Sequence, residues 1–240
     1  MRVVVEMLSR WGHYMAGVTW IGLLYYFNFV QTPAFAEMDG GHRNGAIDKI
    51  VPRALWWFRF AALFTFLTGV VILFADPKFD NDMAYFKTAP GISIFTGILL
   101  GTVMLLNVWG IIWPNQKKVI ASAQGVLAGR EADPAAAAAA RRGACASRTN
   151  VMLSIPLLFF MGAASHLAGQ RFGGLVENRM AYYLVLLVIV VVAEGIALSA
   201  PPVGDAKAKL WIDNHRNTII SGFVVWAVLY GAMELLFDKV

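Results

Sequence analysis

The stretch RWGHYMAGVTWIG, residues 10–22, opens the first long apolar segment of the chain. It places His13 inside a run that otherwise has the composition of a membrane helix, and Gly17 follows one helical turn later on the same face. An ionisable ring at membrane depth is costly, so it indicates a functional role. A small residue on that face leaves room for a flat group. The stretch therefore predicts a membrane helix that presents an imidazole to a ligand or to a neighbouring helix.

The composition extends this prediction to the whole chain. Of the 240 residues, 58% are hydrophobic and only 15% are charged, which is too apolar for a soluble domain of this size. The apolar residues form blocks of about 20, the length that crosses a bilayer core as helix. We therefore predict an all-α fold: a single polytopic membrane helical bundle of about six transmembrane helices. The predicted spans are residues 7–30, 54–75, 91–113, 150–169, 181–200 and 216–237.

The charges set an expected orientation. The formal net charge is +5, but no basic patch is interleaved with base-stacking aromatic residues, so we expect membrane lipid and no nucleic acid as a partner. Lys and Arg concentrate in the loops after the odd-numbered spans, above all in residues 114–149. The positive-inside rule places these loops in the cytoplasm and both termini outside, in the periplasm of a bacterial inner membrane. Pro33 and Pro114 are expected to end the first and third spans.

A second histidine, His166, lies near the outer end of the fourth span. In the predicted topology, both His13 and His166 sit on the order of 5–9 Å below the outer boundary. Two histidines at one depth on different helices can ligate the iron of a b-type haem from opposite faces. Gly162 flanks His166 as Gly17 flanks His13, and each glycine would give a porphyrin edge room. The alternative is that each histidine bonds a neighbouring helix while the small residues serve helix packing.

A second polar group gathers towards the inner boundary. One interpretation is a polar pocket or proton path in which Arg59 pairs with Glu194 or with a haem propionate. The alternative is snorkelling of Arg59 and interfacial capping by the other members. The members of this group are Asn28, Arg59, Asn107, Glu194 and His215.

Four stretches resemble a known family. WGHYMAGVTWIGLLYYFNFVQTPA, VPRALWWFRFAALFTFLTG, NVWGIIWPNQKKVI and SRTNVMLSIPLLFFMGAASH are similar to the N-terminal membrane domain of bacterial membrane-bound urate oxidase (urate hydroxylase). The resemblance implies oxidation of urate towards 5-hydroxyisourate in purine catabolism, with electrons leaving through a fused cytochrome c domain. Here the chain ends at Val240 and its single cysteine, Cys145, leaves no CxxCH. We therefore expect a separate electron acceptor.

Two functions remain open at this stage. The first is a membrane oxidoreductase that binds haem b between His13 and His166 and exchanges electrons with a periplasmic cytochrome c, with urate as the candidate substrate. The second is a haem-free accessory subunit of a larger membrane complex. A small-solute transporter fits less well, because neither broken-helix pairs nor internal repeats are visible.

Overall fold

The protein is described by a computed structural model over residues 1–80, 84–198 and 208–240, and its architecture is helical throughout these ranges. Two of the predicted fifth span's residues, 199 and 200, lie outside them. The helices are α1 (Arg2–Tyr25), α2 (Thr32–Glu37), α3 (Gly40–Lys49), α4 (Val51–Ala75), α5 (Ala89–Asn107), α6 (Trp113–Leu127), α7 (Ala135–His166), α8 (Ala168–Arg171), α9 (Arg179–Leu198) and α10 (His215–Leu236).

The prediction of an all-α polytopic bundle is confirmed. Five helical stretches are long and apolar enough to cross a membrane: α4, α5 continued through α6, α7, α9 and α10. The predicted first span falls in α1, which is not among the five. Helix α1 nevertheless packs along α4.

Two wide turns carry the helices past the prolines that were expected to end them. A π-helical segment, Tyr26–Gln31, joins α1 to α2 before Pro33, and another, Val108–Ile112, joins α5 to α6 before Pro114. In a regular α-helix the proline ring clashes with the carbonyl four residues earlier. A π-helical turn instead pairs each N–H with the carbonyl five residues back. The backbone hydrogen-bond pattern just before the proline is therefore not that of an α-helix. The prediction that Pro33 ends its helix was therefore wrong, and α6 likewise continues the helix past Pro114.

Helix α7 is the centre of the bundle and packs against α5, α6, α9 and α10. It begins at Ala135, within the alanine run, and stays helical through Pro156. Helix α6 likewise extends to Leu127. The segment predicted as the loop 114–149 is thus largely helical, because alanine has the highest helix propensity and nothing breaks the chain before Leu127.

Ion pairs fix the register of α1 on α4 at the end of the bundle that holds the N-terminus of α1. Arg10 Nη2 lies 2.7 Å from Asp76 Oδ2, and Asp76 is buried. Arg2 Nη2 lies 2.6 Å from Asp80 Oδ1. The two helices therefore run antiparallel, which brings the middle of α4 beside the histidine of α1.

Candidate functional site

His13 is held by the backbone of α4. Its Nδ1 lies 2.8 Å from the carbonyl oxygen of Thr65, and since a carbonyl only accepts, Nδ1 carries the proton. The neutral ring then has its lone pair on Nε2, the tautomer that a metal-ligating histidine needs. In the described part of the chain, no hydrogen-bond partner occupies Nε2. The hydrogen bond to Thr65 thus leaves Nε2 as the ring nitrogen that carries a lone pair.

Gly69 leaves the space that the His13 imidazole occupies in this contact. It follows Thr65 by four residues, so in the helix its side-chain position lies over the Thr65 carbonyl. A Cβ on Gly69 would lie 3.3 Å from His13 Cε1 and 3.5 Å from His13 Nδ1. The missing side chain therefore lets the imidazole approach the carbonyl. Sequence reasoning missed Thr65 and Gly69. One contributes a backbone carbonyl and the other a missing side chain, and both lie in a different helix, so the residues around His13 do not predict them.

His166 is the last residue of α7, and its side chain is exposed. Gly162, one turn earlier, has open space where a Cβ would stand. Leu158, a further turn back, is 49% exposed. This face of α7 is therefore uncovered from Leu158 to the outer end of the helix, which leaves room for a bulky group beside His166.

The two histidines lie towards the same end of the bundle. Tyr25 Oη and Ser154 Oγ are 2.9 Å apart and join α1 to α7. His13 precedes Tyr25 by the same number of residues as His166 follows Ser154, and each offset corresponds to a rise of about 18 Å. Because α1 and α7 are antiparallel at this contact, both rises point towards the same end of the bundle.

The space predicted beside His13 is partly filled. A Cβ on Gly17 would lie 3.9 Å from Thr65 Cγ2, so Gly17 faces α4 in ordinary van der Waals contact. It serves helix packing, as the alternative interpretation expected. Room for a flat group on α1 must therefore come from the other side of the His13 ring, where the neighbouring side chains Tyr14 and Val18 are exposed.

Arg59 does not join the other members of the inner polar group. Its guanidinium carbon lies 3.9 Å from the centroid of the Trp113 ring, and Trp109 Nε1 donates to the Arg59 carbonyl oxygen at 3.2 Å. Stacking on an aromatic face stabilises the positive charge of the guanidinium, while its buried Nε has no hydrogen-bond partner within the described structure. No ion pair between Arg59 and Glu194 forms in the described structure.

Two other members of that group, Asn107 and Glu194, are in direct contact. Asn107 Nδ2 donates to Glu194 Oε1 at 2.8 Å and to Asn150 Oδ1 at 3.0 Å. Asn150 Nδ2 in turn donates to the Met104 carbonyl oxygen at 2.9 Å. Asn107 and Asn150 are buried, so this chain of amides satisfies a carboxylate among apolar helices. Asn150 was missed, although it is a polar residue at the start of a predicted span.

Asn28 and His215 lie elsewhere. Asn28 Nδ2 donates to the Leu24 carbonyl oxygen and to Ser147 Oγ, both at 2.8 Å. His215 is exposed at the start of α10, with its ring centroid 6.5 Å from that of Phe29. The inner polar residues therefore form separate contacts rather than one pocket.

Comparison with known proteins identifies the family. A family model described as urate oxidase N-terminal matches residues 82–228, more than half of the chain. The match includes His166, Asn107 and Glu194, whereas His13 and Arg59 precede it. Neither the curated proteins nor the solved structures gave a match. The chain belongs to the urate oxidase N-terminal family, as its sequence motifs predicted.

Proposed function

We propose that this protein is a membrane oxidoreductase that binds a b-type haem between His13 and His166 at the outer end of the bundle. The observation that carries the proposal is the hydrogen bond from His13 Nδ1 to the Thr65 carbonyl, which leaves Nε2 free for iron. The position of both histidines towards the same end of the bundle, beyond the contact between Tyr25 and Ser154, supports it.

A b-type haem, when bound, takes up and releases single electrons. The chain's own residues would hold and orient it. His13 Nε2 and a ring nitrogen of His166 would ligate the iron, and the open flank at Gly162 would accommodate the edge of the macrocycle. Arg59 is stacked on Trp113, so we do not assign it to a propionate.

Family membership supports urate as the substrate. Conversion of urate to 5-hydroxyisourate adds the oxygen of one water and releases two electrons and two protons. We propose that a cytochrome c at the periplasmic face accepts these electrons. This orientation, with both termini periplasmic in a bacterial inner membrane, rests on the distribution of Lys and Arg.

The chain supplies its own controls for the haem proposal, because it has only four histidines. We expect the purified protein to show the dithionite-reduced bands of b-type haem. His13→Ala and His166→Ala should each abolish or shift these bands, whereas His42→Ala and His215→Ala, at exposed positions, should leave them unchanged. A colourless folded preparation, or bands that survive both of the first two substitutions, would contradict the proposal.

The second candidate is a haem-free accessory subunit of a larger membrane complex. It is favoured by the packing of Gly17 against Thr65, because small residues at this position are sufficient for close approach of α1 and α4. The two functions differ in one readout: only the first predicts haem extractable with pyridine from the folded protein.

A further inference from the structure

Four tryptophans gather at the end of the bundle opposite the N-terminus of α1. They are Trp56 and Trp57 in α4, Trp109 in the π-helical segment Val108–Ile112, and Trp113 at the start of α6. The Trp109 ring packs edge-on against Phe60, with ring centroids 5.6 Å apart, and so joins this segment to α4. Tryptophans concentrate where a membrane protein passes from hydrocarbon to headgroups. The four rings therefore indicate the level of a bilayer interface.

Two cations lie close to the ring of Trp113. The guanidinium carbon of Arg59 is 3.9 Å from the ring centroid, and Nζ of Lys117 is 5.6 Å from it. Because both distances are measured to the same ring, the two charges are closer together than the Debye length of about 10 Å at an ionic strength of about 0.1 M. Salt therefore screens their repulsion only in part, and an anion bound by both cations would offset it.

Neither cation forms an ion pair with a carboxylate among the described residues. Within the same residues, Nη1 and Nη2 of Arg59 make no hydrogen bond, and unlike Nε they are not fully buried. Lys117 is exposed. A guanidinium presents its donors in a fork that matches two oxygens of a phosphate, and an ammonium adds a compact charge. The two side chains thus offer an anion donors that the fold itself does not use.

An exposed apolar strip leads away from these cations along the bundle. Phe64 follows Phe60 by one turn of α4 and is 57% exposed. Leu106 precedes Trp109 by one turn and is 65% exposed. Residues one turn apart share a helix face, so both side chains continue the face on which Phe60 packs against Trp109. An acyl chain that lies on this strip would have its phosphate end at the two cations.

We propose that Arg59, Lys117 and Trp113 form a binding site for the phosphate group of an anionic phospholipid. The acyl chain of this lipid lies along Phe64 and Leu106. Charge complementarity favours an anionic headgroup, because two cations without carboxylate partners attract a phosphate and repel the ammonium group of a zwitterionic lipid. Arg59 also covers one face of the Trp113 ring, where the ammonium of a choline lipid would otherwise make a cation–π contact. The site depends on neither the haem nor the substrate.

The test is native mass spectrometry of the delipidated intact protein in detergent, titrated with phosphatidylglycerol or with phosphatidylcholine of the same acyl chains. We expect the wild type to bind phosphatidylglycerol at least tenfold more tightly. Lys117→Gln should weaken this binding about fivefold, the factor that one basic residue contributes near an anionic lipid surface, and leave phosphatidylcholine binding unchanged. Arg59→Gln should weaken it by at least as much, and the double variant should lose the preference.

Lys118→Gln is the matched control. It removes the same charge from the next residue, which is also exposed but is not one of the cations over the Trp113 ring, so it should retain the wild-type affinity for phosphatidylglycerol. Since Lys117 lies at the surface, we expect Lys117→Gln without added lipid to melt at the wild-type temperature. Equal affinity of the wild type for both lipids, an unchanged affinity in Lys117→Gln, or an equal loss in Lys117→Gln and Lys118→Gln would each overturn the inference.

Discussion

Substitution of Gly69 by alanine tests whether the backbone of α4 orients His13 for ligation. The new Cβ would lie 3.3 Å from His13 Cε1, whereas non-bonded carbon atoms prefer separations of about 3.5–4.0 Å. The imidazole must therefore retreat by about 0.2–0.7 Å. Its hydrogen bond to the Thr65 carbonyl, 2.8 Å in the structure, would stretch towards or beyond the limit of about 3.2 Å for a normal N–H···O bond.

The expected consequence is weaker haem binding with the fold retained. Loss of the partner that orients a ligating histidine typically costs about 10–100-fold in metal affinity, and a stretched bond belongs at the lower end of this range. We therefore expect Gly69→Ala to release haem to excess apomyoglobin about tenfold faster than the wild type. The rate is read from the visible spectrum of the myoglobin that forms.

The matched control is Gly22→Ala on α1. No heavy atom lies within 4 Å of the Cβ that this substitution adds, and alanine in place of glycine generally stabilises a helix interior by about 0.5–1 kcal/mol. Gly22→Ala should therefore release haem at the wild-type rate. If Gly69→Ala is monodisperse and releases haem no faster than Gly22→Ala, His13 is not oriented through Thr65, and the reasoning fails.

Three further predictions concern the fold and its polar contacts. Gly222→Ala would bring a Cβ within 2.9 Å of a backbone carbonyl oxygen of α7. We therefore expect a loss of about 1–3 kcal/mol in the free energy of unfolding and a lower melting temperature. Gly231→Ala, on the same helix with open space around it, should melt no lower than the wild type. Asn107→Leu removes the hydrogen bond that Asn107 donates to the Glu194 carboxyl group on α9. The melting temperature should therefore fall by the equivalent of about 1–3 kcal/mol in the free energy of unfolding. An unchanged melting temperature would contradict this role. The hydrogen bond that the His42 imidazole donates to the Asp39 carboxylate raises the pKa of His42. This contact therefore stabilises α3 fully at pH values below the ordinary pKa of histidine and is lost as the pH rises through the raised value. Asp39→Asn should lower the His42 pKa in an NMR titration, and an unshifted titration curve would refute the contact.

The bundle itself was predictable, because apolar blocks of membrane length leave few alternatives to spanning helices. Five of the six predicted spans overlap helices that are long and apolar enough to cross a membrane. The continuation of helix through Pro33 and Pro114 was not predictable, since a π-helical turn depends on local backbone geometry that residue types do not encode. The same limit applies to α6, which was predicted as part of a loop because charged residues follow Trp113.

Individual contacts of the candidate site were harder to predict than its residues. The sequence identifies His13 and His166 as ionisable groups in apolar helices, but their interactions depend on helix pairing. The pairing of α1 with α4 assigns Gly17 to packing, and it also brings the Thr65 carbonyl to His13. For the inner polar residues, rotation about each helix axis separates Arg59 from Glu194 and brings Asn150 to Asn107. Such rotations follow from tertiary contacts rather than from spacing within one segment.

The most direct test of the central claim is the low-temperature electron paramagnetic resonance spectrum of the oxidised protein. Ligation of one iron by both His13 and His166 predicts a low-spin ferric haem signal in the wild type. In His13→Ala and in His166→Ala the iron loses one strong ligand, so this signal should give way to a high-spin one, while His215→Ala should retain it. A wild-type spectrum without a low-spin haem signal, or one that persists in both single variants, would contradict the proposed haem site.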